Sequence, residues 1–228
     1  MAFIVIEGLD GSGKSTQLNI LLDHLEKNKY NYKYIHFPRT DSPVYGELIA
    51  SFLRGELGKL DTVNPYLVAL IYAGDRMDAA SMIREWLQQD LLVVADRYVY
   101  SNIAFQCAKM EGEEEKRKLW DWIIHLEYEY YRIPRPDASI FLDVPFDFTR
   151  ENLRVEREGS DRKYLDGQQD IHEENLDFQE KVRKAYHSIA RRYDDIELVD
   201  CSDDEGRILP PEHIFEKLIS HIERFIIR

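Results

Sequence analysis

The chain has 228 residues, 44% hydrophobic and 32% charged, so it is long enough to bury a sizeable core and reads as a globular protein. Its 30 Lys and Arg stand against 43 Asp and Glu, a net charge of −13. That balance argues against a general nucleic-acid or anionic-membrane binder and confines any phosphate site to a local basic pocket. Cys107 and Cys201 lie far apart without metal-ligand spacing, as expected of reduced core thiols in a cytoplasmic protein.

Phe3-Ile4-Val5-Ile6 is a continuous apolar run, the pattern of a buried strand. No basic stretch precedes it, and Asp10 and Lys14 end it early, so neither a signal peptide nor a membrane segment is expected there. It leads directly into Glu7-Gly8-Leu9-Asp10-Gly11-Ser12-Gly13-Lys14-Ser15-Thr16, which matches G-x-x-x-x-G-K-[ST] in the strand-loop-helix context that a P-loop requires. Glycines let the backbone turn its N–H groups inward onto phosphates, helped by the positive end of the next helix. Lys14 would reach the β- and γ-phosphates, and the Ser15 hydroxyl is placed to ligate Mg²⁺. The loop as a whole, Gly8 to Thr16, is therefore expected to hold a nucleoside triphosphate.

A one-faced helix follows from Gln17 to Asn28, with Leu18, Ile20, Leu21, Leu22 and Leu25 apolar. A second strand, Tyr34-Ile35-His36-Phe37, stops at Pro38. Helical patterns cover about 45–53 and 64–89, and Leu91-Leu92-Val93-Val94-Ala95 is a third strand. Helices at about 101–111 and 114–132 precede a fourth strand, residues 138–144, introduced by Pro134-Arg135-Pro136. Helices at about 146–156, 173–193 and 211–226 and a fifth strand at 196–200 complete the chain. Such alternation predicts an α/β protein, a three-layer P-loop NTPase fold with a five-stranded parallel sheet flanked by helices. With no repeat or linker, residues 1–228 are expected as one domain, and the polar stretch within about 150–170 as a short mobile lid.

Asp96-Arg97-Tyr98 closes the third strand, at the edge where open parallel sheets place their ligand chemistry. A carboxylate there can hold water on Mg²⁺, and a guanidinium can clamp a phosphoryl group. Arg39 follows the second strand in the same way. Together with Lys14 these arginines suggest a convergent basic cluster, and hence a second phosphorylated ligand beside the triphosphate.

The loop at Glu7–Thr16, the Phe37-Pro38-Arg39 segment, the run Asp96-Arg97-Tyr98-Val99-Tyr100-Ser101-Asn102-Ile103-Ala104-Phe105 with Gln106, and Pro134-Arg135-Pro136-Asp137 resemble the thymidylate (dTMP) kinase family, in family order and spacing. The resemblance implies that Asp10 contacts the sugar 3′-hydroxyl of the acceptor nucleotide. Arg39 and Arg97 would hold its phosphate. Tyr72 would stack on thymine, Arg76 would donate to O4, and Asn102 and Gln106 would meet the base edge. Phe105 would lie against C2′. For Tyr72 and Phe105, periodicity alone favours core packing, so these roles rest on the resemblance.

In some family members an arginine for the transferring phosphoryl sits in the P-loop; this chain has Gly11 and Ser12 there. Arg150, Arg154, Arg157, Arg162 and Lys163 resemble the alternative, in which the lid supplies it. The 150/154/157 spacing puts three of them on one helical face. Asp170 and Glu173 fall near the family's acidic residues after the lid. The implied activity is transfer of a phosphoryl group from ATP to dTMP with Mg²⁺, bound by Ser15 and Asp96, in a cytoplasmic homodimer. Apolar faces at Tyr66–Leu70 and Trp120–Tyr131 could bury the interface. The alternatives are another deoxynucleoside monophosphate, a deoxynucleoside, or a nucleotide-binding switch. A nucleoside would leave Arg39 and Arg97 without a phosphate, and the N-K-x-D motif of guanine-reading switches is absent.

Overall fold

The first strand, β1 (Phe3–Glu7), is buried along its whole length, with Phe3 and Val5 packing into one apolar cluster and Ile4 and Ile6 into another on the opposite face. A strand covered on both sides needs the continuous apolar run seen here. The computed structural model describes residues 2–60, 62–154, 164–166, 170–173 and 175–226. Within them β1 is followed by α1 (Lys14–Lys27), β2 (Tyr32–His36), α2 (Tyr45–Leu53), α3 (Pro65–Gln88), β3 (Leu92–Asp96) and α4 (Val99–Cys107). Then come α5 (Glu113–Ile124), a π-helical turn at His125–Tyr130, β4 (Ala138–Asp143), α6 (Phe146–Arg154), α7 (Leu176–Ala190), β5 (Ile196–Asp200) and α8 (Pro211–Ile226).

The five strands are all parallel in the order β2-β3-β1-β4-β5. β1 is central, so strand order reverses about it and the crevice for ligands opens at its carboxyl end. α1 and α8 cover one face of the sheet; α3, α4, α5 and α7 contribute to the cluster on the other. β2 and β3 are adjacent, which carries the segments after them, Phe37-Pro38-Arg39 and Arg97-Tyr98, to neighbouring positions beside the P-loop.

Several helix boundaries differ from the sequence reading, α1 beginning at Lys14 rather than 17 and α4 ending at Cys107 rather than 111 among them, and three have a clear local reason. The α7 helix begins at Leu176 rather than 173 because the Asn175 side chain caps it, accepting from Phe178 N at 2.9 Å. At α4 the start moves from 101 to Val99, where the Glu7 carboxylate caps from another strand by accepting from Tyr98 N at 3.0 Å and Ser101 N at 3.3 Å. Past Ile124 the helix expected over 114–132 widens into the π-helical turn, in which Tyr131 N donates to Leu126 O at 2.8 Å. Such insertions re-aim the side chains they carry, and here Leu126, Glu127 and Tyr128 all point into the interior.

Candidate active site

The P-loop joins β1 to α1. Gly11 and Gly13 both adopt left-handed backbone, φ 79° and 76°, and a Cβ at Gly8 would stand 2.7 Å from Ser12 Oγ. The sequence thus has glycine where other residues would be strained or would clash. Leu9, Asp10, Gly11, Ser12, Gly13, Lys14 and Ser15 line a cleft of about 1650 Å³. Gly8 lies beneath it, and Thr16 faces a second, smaller and largely apolar pocket of about 340 Å³ on the α8 side of the loop. That pocket is walled by Gln17, Leu142, Val144, Phe148, Ile208, Leu209 and Pro210.

The three expected cations all reach the large cleft, yet each already holds a carboxylate. Lys14 Nζ donates to Asp96 Oδ1, and His36 Nδ1 lies 3.0 Å from Asp96 Oδ2. Arg97 Nη2 donates to Asp10 Oδ1 at 2.6 Å, and Nη1 to Ser101 Oγ at 3.2 Å. Arg39 donates through Nε to Asp75 Oδ1 at 2.8 Å and through Nη2 to Asp78 Oδ2 at 2.6 Å. The expected basic cluster is present with each cation in an ion pair, because a desolvated cation without a partner is costly. Burial lowers the pKa of Lys14, with Asp96 opposing. Burial also works to raise that of Asp96, but Lys14, His36 and Arg97 outweigh it and keep the carboxyl below its usual range. Arg97 is held at φ 65°, a strained backbone for a side chain of its size. Its guanidinium sits 5.0 Å from the centre of the Phe105 ring.

Beneath the loop lies Glu7, wholly buried. Besides capping α4 it accepts from Ser101 Oγ at 2.5 Å and Tyr186 hydroxyl at 2.8 Å. Burial raises its pKa, while Ser101, Arg97, Tyr186 and Tyr98 counter that shift. Asp10 is held from a second side by Gln179 Nε2, 2.8 Å from Oδ2.

Phe37, Pro38, Tyr72, Arg76, Ser101, Asn102, Phe105 and Gln106 line the same cleft, so the structure brings together every described residue the sequence proposed for the acceptor. The Phe37–Pro38 peptide is cis. Tyr72 and Arg76 lie one turn apart on α3, as the spacing requires. Arg76, expected to donate to the base, also donates from Nε and Nη2 to Glu127 at 2.5 and 2.7 Å. Gln106 Oε1 accepts from Lys109 Nζ at 2.7 Å. Phe105 packs on His172 and Phe178 as well as facing Arg97.

Asp170 and Glu173, whose register the sequence left open, both line the cleft. Asp170 accepts from Tyr164 hydroxyl at 2.9 Å and His172 N at 2.8 Å. Burial, with repulsion from Asp10 and Glu173, pushes its pKa up to about 7. Burial, with Lys109 and Arg97, pushes His172 well below its usual value.

The lid arginines are only partly described. Arg150 is paired with Asp147 at 2.9 Å on the surface, and Arg154 is exposed at the end of α6 and does not line the cleft. Arg157, Arg162 and Lys163 lie outside the described residues. The root of the segment is fastened to the P-loop: Asn152 Nδ2 donates to Gly11 O at 2.8 Å, and Phe148 packs over Gly13.

Sequence reasoning missed Glu127, Gln179, His172 and the aspartates 75 and 78. For Glu127 a signal existed. It stands one residue after Leu126 and four after Ile123, at an inward register of a helical pattern, so a charged partner was required, and Arg76 is the charge inside the otherwise apolar stretch of α3.

The chain matches the family model described as thymidylate kinase over residues 6–207. A similar solved structure is the thymidylate kinase of Candida albicans, with 26% identity and a TM-score of 0.71, covering 98% of this chain and 91% of that one. That enzyme is described as having broad substrate specificity and a novel structural element.

Proposed function

From a chain that belongs to the thymidylate kinase family, and is therefore an ATP-dependent phosphotransferase acting on dTMP, we propose a division of labour within the cleft. The observation that carries it is the meeting of the P-loop with Arg39 and Arg97 in one cleft, at the ends of strands β2 and β3. Two phosphorylated ligands then face each other. Lys14 and the inward N–H groups of residues 8–16 hold the triphosphate of the donor. The apolar second pocket, bordered by Gly13 and Thr16, takes the donor base. Arg39, through the Nη1 group that its aspartates leave over, and Arg97 hold the acceptor phosphate. Asp10 holds the 3′-hydroxyl, Tyr72 stacks on the pyrimidine, and Phe105 disfavours a 2′-hydroxyl.

Phosphoryl transfer of this kind needs alignment and charge neutralisation rather than covalent catalysis. Lys14 neutralises the oxygens that gain charge, and Arg97, positioned between Asp10 and Ser101, is preorganised for the same task. The residues present fit a magnesium ion. Asp96 is held ionised and Ser15 stands at the start of α1, hard oxygen donors of the kind Mg²⁺ uses when phosphates and water complete its shell. When bound, that ion would supply charge neutralisation to the phosphates. Lid arginines among Arg154, Arg157 and Arg162 close over the transferring group, and Asn152 ties the lid's root to Gly11.

The whole chain is proposed to work as one domain, cytoplasmic, without nucleic-acid partners. Among the described residues no helix is long and apolar enough to cross a membrane. A homodimer is supported by the apolar side chains left exposed on α3 and the π-helical turn, Leu67 at 59% and Tyr130 at 73% with Leu70 and Met77 beside them. A coupled ADP-release assay across deoxynucleoside monophosphates and nucleosides tests the assignment. dTMP is expected to support turnover, and thymidine is not. Turnover with thymidine but not dTMP would overturn the roles of Arg39 and Arg97. The breadth described for the Candida albicans enzyme makes the other monophosphates the informative members of the panel.

A further inference from the structure

We propose that Glu127 sets the base preference of the acceptor site by fixing which hydrogen-bonding edge Asn102 and Arg76 present to the pyrimidine. The proposal rests on the reading of the cleft as a dTMP site. Glu127 has no exposed surface and reaches from the π-helical turn to α3 and α4 at once. Its Oε2 accepts from Arg76 Nε at 2.5 Å; its Oε1 accepts from Arg76 Nη2 at 2.7 Å and from Asn102 Nδ2 at 3.0 Å. Asn102 Nδ2 donates also to Ala69 O at 3.1 Å.

Those two contacts decide the orientation of the Asn102 amide. A carboxylate oxygen and a peptide carbonyl are both acceptors, so the NH₂ must face them and Oδ1 must face the other way. Oδ1 is buried and has no partner among the described residues, while Asn102 lines the cleft. A buried acceptor left unpaired is expensive unless a ligand satisfies it. Beside it Arg76, with Nε and Nη2 committed to Glu127, keeps Nη1 as a donor on the same cleft. An acceptor next to a donor matches N3–H and O4 of thymine or uracil. Cytosine presents the opposite pair, an unprotonated N3 and a 4-amino group, so both contacts would fail. Glu127 touches neither ring atom. It is a positioning residue, and an ion pair this buried is a poor device for stability alone.

Isothermal titration of dTMP, dUMP and dCMP into wild type, E127Q and E127D separates the roles. Gln puts an NH₂ among donors where Glu has only acceptors, which leaves Ala69 O alone to hold the Asn102 amide against turning over. The dTMP-over-dCMP affinity ratio is expected to fall about tenfold or more in E127Q. The dTMP-over-dUMP ratio, which reads only the 5-methyl group, and the affinity for ATP are expected to stay within twofold. E127D keeps the charge with a reach too short to span both Arg76 and Asn102, and its ratio should fall by about threefold to tenfold. A fall under threefold in E127Q overturns the proposal, as does equal weakening of all three monophosphates, which a purely structural role would give. If circular dichroism shows E127Q unfolded, E127D decides by the same threefold limit. Wild-type protein that binds dCMP as tightly as dTMP overturns the acceptor reading and this proposal with it. A wild-type preference that the variants retain overturns this proposal alone.

Discussion

Asp170→Asn should stabilise the protein at alkaline pH and hardly at all in acid. The carboxyl is buried, and its pKa moves from 3.8 to about 7, driven first by burial and then by Asp10 and Glu173. Between those two values the folded protein keeps a proton that the unfolded chain releases. Stability contributed at this position therefore falls as pH rises through the window and is lowest above pH 7. The full gap corresponds to at most ~4 kcal/mol, of which roughly 3 kcal/mol accrues between pH 5 and pH 8. Asn carries no such term. It keeps the oxygen that accepts from His172 N, and its NH₂ can donate to the Tyr164 hydroxyl oxygen in place of the bond Asp170 accepts there. For a chain of this length each kcal/mol moves Tm by roughly 2–4 °C, so the variant's advantage should widen by roughly 6–12 °C from pH 5 to pH 8. Lys109, lowered to about 7 by burial, and His172, also lowered, have their own pH dependence. Both are present in each protein, so the difference between the two melting curves reports the carboxyl together with its pull on Lys109. Calorimetry of both at pH 5, 6, 7 and 8 reads it directly. A gap that stays constant across that range would refute the reasoning, since Asp170 would then ionise normally despite its burial.

Lys14→Met should lower kcat by about a thousandfold or more. It should also lower stability by about 3 kcal/mol, because Asp96 keeps its buried charge without the ammonium; turnover within tenfold of wild type would sink the P-loop argument. Arg39→Ala should raise KM for dTMP at least about tenfold and leave KM for ATP nearly unchanged. Equal weakening of both substrates would move Arg39 to the donor side. Among Arg154→Ala, Arg157→Ala and Arg162→Ala at least one should cut kcat roughly a hundredfold with less effect on dTMP affinity. Wild-type kcat in the triple variant would remove the lid from catalysis.

The fold was legible because its signals are local. Parallel strands covered on both faces must be short apolar runs, and the P-loop is spelled out in consecutive residues, so β1, its loop and α1 follow from residues 3–28 alone. Segments that line the cleft were legible for the same reason: they directly follow strand ends. What stayed hidden is how the charges pair, since that is decided by packing between distant parts of the chain. Arg76 meets Glu127 across 51 residues, and Asp10 meets Gln179 across 169. The π-helical turn was equally hidden, because His125–Tyr130 fits an ordinary α-helical pattern until the packing of Glu127 onto α3 and α4 requires the extra residue.

The central position of β1 also bears on how the protein is made. Phe3 pairs with Val93 and Ile4 with Ala138, so β1 leaves the ribosome without a neighbour in the sheet until β3 follows, and without its second neighbour until β4 does, past the midpoint of the chain. Glu7 must wait longer still, for the Tyr186 hydroxyl. Such long-range closure folds slowly, and a flat apolar strand with both edges open is the kind of segment that recruits other chains. The part of the molecule that handles the triphosphate is thus synthesised well before the strands that complete it. A nascent chain stalled before Ala138 would carry β1 with the edge that β4 covers still open.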